Sequence, residues 1–78
     1  PVHVLVIPKE HICCADAVNE ENVCNIAHIF TKIPEITKSL GLTNGYRIVN
    51  NCGEDGCQSV KHMHFHILGG KKLNGTMA

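Results

Sequence analysis

Three histidines stand at alternate positions near the end of the chain, in His62-Met63-His64-Phe65-His66-Ile67-Leu68. Imidazole titrates near neutral pH, and in its neutral form one ring nitrogen keeps a lone pair. Such a ring can bind a metal, shuttle a proton or attack phosphorus. Each ring also brings two polar nitrogens that need partners, so three in strict alternation are costly as filler. Side chains two apart on a strand share a face. A strand over about 60–68 would therefore line His62, His64 and His66 on one face and bury Met63, Phe65 and Ile67 on the other. A fourth histidine, His3, is the one polar side chain in Val2-His3-Val4-Leu5-Val6-Ile7. A buried structural histidine is the plain reading of His3; the sharper one brings it to the other three from a neighbouring strand.

The remaining elements must hold these rings. Residues 2–7 are dense in β-branched side chains and read as a strand that Pro8 ends. His11 to Asp16 reads as a loop, with His11 at the surface. A helix is expected over 20–40, with Asn19 as N-cap, Glu20 and Glu21 in the first turn, and Gly41 just past its end. Its buried stripe is expected to run through Val23, Ile26, Ala27, Phe30, Ile33 and Leu40. Pro34 removes a helical N–H and should kink or split the helix near 30–33. Cys24 on that helix reads as a small buried hydrophobe, and His28 as a solvated residue. Thr43-Asn44-Gly45 is a turn, and 46–50 alternates as another strand. The sum is an α+β fold in one domain, residues 1–78: an antiparallel sheet with one main helix, kinked at its proline, on one face.

Composition narrows the function. Seven Lys and Arg balance seven Asp and Glu, so neither a nucleic-acid backbone nor an anionic membrane is an expected partner. No apolar run approaches a membrane span. The five cysteines are odd in number and irregularly spaced, which reads as reduced thiols in a cytoplasmic protein rather than a disulfide scaffold.

The alternating histidines, with Gln58-Ser59-Val60 before and Gly69-Gly70 after, resemble the signature of the histidine-triad (HIT) family. They look most like its Hint branch, the purine nucleoside phosphoramidases. His3-x-Leu5-Val6-Ile7-Pro8-Lys9-x-His11 resembles a second segment of that family, in which the first histidine belongs to the active-site cluster. The resemblance covers nearly all of the chain, while the chain matches only the later part of the family domain. The earlier part, with a hairpin and much of the base and ribose pocket, is expected to be absent.

The resemblance implies a hydrolase that cleaves the P–N bond of purine nucleoside phosphoramidates through a nucleotidyl-histidine, AMP being the nucleotide released from adenosine substrates. His64 would be the nucleophile, with His62, His66, His3 and Ser59 completing the catalytic set. Asn51, Cys57, Gln58, Ser59, His64 and His66 would contact the nucleotide and its phosphate, the backbone N–H groups of 57–59 acting as an anion nest. Cys57 departs from the Gly or Ala usual in the family. The tail lacks the Trp that many Hint proteins carry. A homodimer is implied, and no cofactor. In some relatives His11 and the first triad histidine bind zinc with a C-x-x-C that this chain lacks, so zinc is the one metal to test. Two other readings stand beside the phosphoramidase: a dinucleoside polyphosphate hydrolase of the same family, and a non-catalytic nucleotide- or metal-binding module. Three ligands about 2 Å from one ion are hard to supply from a single flat strand, which weighs against the metal module.

Overall fold

The structure, a computed structural model, describes residues 1–77. Three strands form one antiparallel sheet: β1 (Val2–Val6), β2 (Tyr46–Val49) and β3 (Phe65–Gly69). The order is β1-β3-β2, so the last strand lies in the middle. Its composition suits that place, since both of its neighbours contribute ladders and one face is apolar. Val4, Ile67 and Ile48 stand in one cross-strand row. Ile67, at the centre, is 0% exposed, and burying such a side chain is worth about 1.5–3 kcal/mol.

The helix α1 (Val23–Ser39) covers this apolar face. Its buried stripe is rotated from the expected one. Ile29, Ile33 and Thr37 are buried and Ile26 and Ile36 half-buried, whereas Val23, Ala27, Phe30 and Leu40 are exposed. The four isoleucines at 26, 29, 33 and 36 follow helical spacing more closely than the mixed set, and they turn Phe30 outward. Phe30, at 48% exposure, only touches the edge of Phe65, with ring centroids 5.7 Å apart. Cys24 is exposed rather than buried.

Pro34 does not split the helix, which runs unbroken from Val23 to Ser39. It lies on the exposed face, where its ring meets solvent instead of the core. The regular helix is reached only at Val23, three residues later than expected, but Asn19 makes the bonds of an N-cap. A 3-10 turn over Ala15–Ala17 comes first. Asn19 Oδ1 then accepts from the N–H of Glu21 and Asn22, and Asn22 Oδ1 accepts from the N–H of Asn19. Val23 N–H bonds the Asn19 carbonyl at 2.9 Å, so the two asparagines cap the turn that leads into the helix reciprocally. At the other end Gly41, with φ 75°, closes the helix as expected. Leu42 N–H returns to the Thr37 carbonyl at 2.9 Å, the backward bond of a Schellman end.

The expected strand at 60–68 begins only at Phe65. Residues 60–64 are irregular, because the chain there is drawn toward the loop after β1: Met63 N–H bonds the Ile12 carbonyl at 2.6 Å. His62 and His64 therefore precede β3, and strict strand alternation does not govern them.

Candidate active site

His66 is the triad histidine that the sheet itself aims. Phe65, Ile67 and Gly69 are buried on the helix side, so His66 and Leu68 face the other way. On β1 the outward residues are His3 and Leu5. Leu5 stands directly opposite His66, and His3 opposite Leu68. His3 and His66 are thus diagonal neighbours, a separation that long side chains bridge. They meet with His3 Nε2 2.8 Å from His66 Nδ1 and ring centroids 5.1 Å apart. At that distance one ring nitrogen donates its proton to the other. Burial first, then the positive charge that His64 and His3 can carry, lowers the His66 pKa from its ordinary value. His66 is thereby held neutral at neutral pH.

His64 is buried, 8% exposed, and its tautomer follows from its partner. Nδ1 lies 2.8 Å from the His62 carbonyl oxygen. A carbonyl only accepts, so Nδ1 carries the proton and Nε2 keeps the lone pair. The carbonyl of His64 in turn accepts from Asn50 Nδ2 at 2.9 Å. The His64 and His66 rings pack edge-on, centroids 5.1 Å apart.

His62 takes a different course. Its Nε2–H donates to the Pro8 carbonyl at 3.0 Å, and its ring meets the edge of His11 at 5.1 Å. His3 therefore sits beside His66 and not beside His62, with which the family resemblance would have grouped it: the register that sets His3 opposite Leu68 makes His66 its diagonal neighbour and leaves His62 six residues short of His3's partner. His11, expected as a plain surface residue, is exposed but contacts the first triad ring. Among the described residues, no group of three or more His, Cys, Asp or Glu converges as metal ligands would.

The loop between β2 and β3 is organised by Gln58. Its Oε1 accepts from Gly53 N–H at 2.9 Å, and its Nε2 donates to the carbonyls of Cys13 at 2.7 Å and Val60 at 3.0 Å. The side chain expected to touch phosphate is committed to three backbone groups. The expected anion nest is also partly spent: Cys57 N–H bonds the Glu54 carbonyl and Gln58 N–H the Gly53 carbonyl, each at 3.0 Å. A tight turn consumes those amides. Ser59 is exposed, and its hydroxyl has no hydrogen-bond partner among the described residues. Asn51 is half-buried beside Asn50. Asn50, which the sequence reading passed over, is the asparagine that supports His64. Cys57 has φ 60°, a left-handed conformation that favours glycine.

One further residue belongs to this face. Leu5 is 52% exposed and stands directly across from His66. The alternation that brought out His3 also puts Leu5 on its face, so the signal was in the sequence. The triad face is otherwise open. A hollow of about 620 Å³ lies between the end of α1 and the β2–β3 ends, and one of about 430 Å³ between β1 and α1. Neither includes His64 or His66.

Comparison with known proteins bears on the family and the fold. A HIT domain profile matches residues 1–73. An uncharacterized HIT-like protein of Rickettsia prowazekii is 47% identical over 99% of the chain, and another from Buchnera aphidicola is 40% identical over 94%. The chain spans 66% and 65% of those proteins' lengths. Among solved structures, a histidine triad protein from Clostridium difficile superposes with TM-score 0.92 at 43% identity, over 97% of this chain and 67% of that one. A HIT family hydrolase from Clostridium thermocellum gives 0.94 at 39%, over 100% and 69%. One from Legionella pneumophila gives 0.93 at 35%, over 100% and 70%. On the domain match and these identities, the chain belongs to the HIT family.

Proposed function

We propose that the chain carries the catalytic part of a nucleoside phosphoramidase that cleaves the P–N bond of purine nucleoside phosphoramidates. The observation behind this reading is the tautomer of His64. With Nδ1–H held by the His62 carbonyl, Nε2 is the free nucleophilic atom. Nε2 attacks the α-phosphorus, the new N–P bond forms, and the substrate P–N bond breaks. The departing amine takes a proton, for which the Ser59 hydroxyl is the proposed conduit. The charge gained by the His64 ring is eased through Nδ1–H and the carbonyl behind it. Water then opens the nucleotidyl-histidine, releasing the nucleoside monophosphate and restoring Nε2.

In this scheme His66 stays neutral. If His3 Nε2–H donates into His66 Nδ1, His66 carries its single ring proton on Nε2 and offers it to a phosphoryl oxygen as charge accumulates. Asn51 and the Ser59 N–H are the remaining groups proposed for the nucleotide, and Leu5 gives the sugar or base an apolar rest. The HIT hydrolases of similar structure favour hydrolysis over simple binding. A homodimer is part of the proposal, since β1 and β2 each leave an outer edge unpaired.

The test is hydrolysis of a fluorogenic adenosine phosphoramidate, with and without chelator, beside a diadenosine polyphosphate. His64→Ala is expected to abolish turnover while circular dichroism stays unchanged. Rapid quench of the wild-type chain should trap a nucleotidyl adduct on His64. Substantial turnover by His64→Ala, or an adduct on another histidine, would remove the covalent scheme. Loss of activity on chelation would favour a metal-dependent site.

A further inference from the structure

The pairing of β2 with β3 ends at Val49 and His66. Carried two residues further, the same register would set Asn51 opposite His64. The ladder stops before that point, and among the described residues no backbone N–H bonds the His64 carbonyl. A side chain takes the place of the missing rung: Asn50 Nδ2–H donates to the His64 carbonyl oxygen at 2.9 Å. Asn50 is the first residue past β2 and is half-buried, so the sheet itself delivers the amide. The His64 ring is held separately, through Nδ1–H and the His62 carbonyl at 2.8 Å. The two bonds grip one residue at both ends. One fixes which ring nitrogen bears the proton, and the other fixes the peptide from which the ring hangs.

We propose that Asn50 is a positioning residue for His64: it holds the main chain where the ladder has stopped, and so keeps Nε2 aimed at the incoming phosphorus. The inference rests on His64 being the nucleophile of the phosphoramidase reading. Nucleophile and phosphorus have to meet at about 3–3.5 Å in line, and a misplacement of about 1 Å costs on the order of 100-fold in rate. His64 lies just before the regular part of β3, so strand geometry alone does not set the direction of its Cα–Cβ bond. Asn50 supplies that constraint from the neighbouring strand. Its bond is to the His64 main chain and not to a ring, so its effect on the chemistry passes through His64. An amide suits the task, because it donates a hydrogen bond without adding charge beside a ring that becomes cationic when Nε2 bonds phosphorus.

The test uses Asn50→Asp, which keeps the shape and at neutral pH loses the donor, and Asn50→Leu, which replaces the amide by an apolar group of similar size. In rapid quench with an adenosine phosphoramidate, both should form the His64 adduct roughly 10- to 100-fold more slowly than wild type, with KM within about twofold and unchanged circular dichroism. Asn50→His, whose Nδ1–H can stand where the amide nitrogen does, should restore much of the rate. A second readout needs no substrate. Nitrogen-15 spectra of the wild-type His64 ring should show a protonated Nδ1 and a bare Nε2, and in Asn50→Asp and Asn50→Leu the two signals should move toward a mixture of tautomers. Wild-type adduct rates in both variants, a loss confined to KM, or His64 ring signals that ignore the substitutions would overturn the proposal. A wild-type chain inactive on the phosphoramidate, in variants of which the ring signals still move, would uphold the coupling of Asn50 to His64 and sink the phosphoramidase reading instead.

Discussion

Replacing Cys57 with glycine should make this protein more stable, although it deletes a side chain. Cys57 has φ 60°, where the Cβ of an L-residue crowds the following carbonyl at about 1–2 kcal/mol. The turn demands this conformation, because Cys57 N–H returns to the Glu54 carbonyl and Gln58 N–H to the Gly53 carbonyl. The thiol offsets little, since Cys57 is exposed. Glycine removes the clash but frees the unfolded chain, at a cost below about 1 kcal/mol. The net gain should be of order 0.5–1 kcal/mol, or roughly 2–8 °C in melting temperature for a domain of this size. The assay is thermal and urea unfolding of wild type, Cys57→Gly and Cys57→Ala under reducing conditions. Alanine keeps the Cβ and should stay within about 0.5 kcal/mol of wild type. Gly53→Ala, at φ 74°, should destabilise as the mirror experiment. A Cys57→Gly melting point at or below wild type, or alanine matching glycine, would refute the strain argument.

Pro34→Ala should raise stability by up to about 3 kcal/mol, since Pro34 lies inside a continuous helix on its exposed face; an unchanged urea midpoint would show that the missing N–H is already compensated. His66 should make folding pH-dependent. Its pKa is lowered in the fold, by burial first and by His64 and His3 next, so the unfolded chain binds the proton more readily. The stability it contributes is complete above the ordinary histidine pKa and is lost as pH falls through that range toward the lowered folded value. His66→Asn should flatten this part of the stability–pH curve, and an equally steep curve in the variant would assign the proton to another group.

How much of this was legible beforehand follows from what each signal depends on. The strands β1 and β2 were readable because alternation and β-branching are local. The same alternation put His3 on the outward face and showed Ile67 as core. It failed at His62 and His64, because the chain there is steered by a bond from Met63 to Ile12, a partner far away in the sequence that periodicity cannot register. That bond changes the chemistry. A regular strand would have ranked the three rings as equals along one face. The late entry into β3 instead turns the His62 carbonyl onto His64 Nδ1 and sends the His62 ring to Pro8, so one histidine fixes the tautomer of the next with its backbone. Gln58 is a parallel case. Its residue type suits a phosphate contact, and only the fold reveals that Gly53, Cys13 and Val60 have taken its whole carboxamide. Polar side chains are ambiguous in this way because ligand and backbone compete for the same donors and acceptors. Cys57 is the reverse case. A cysteine where the family usually has Gly or Ala already marked the spot, and the positive φ supplies the physical reason that glycine suits that turn.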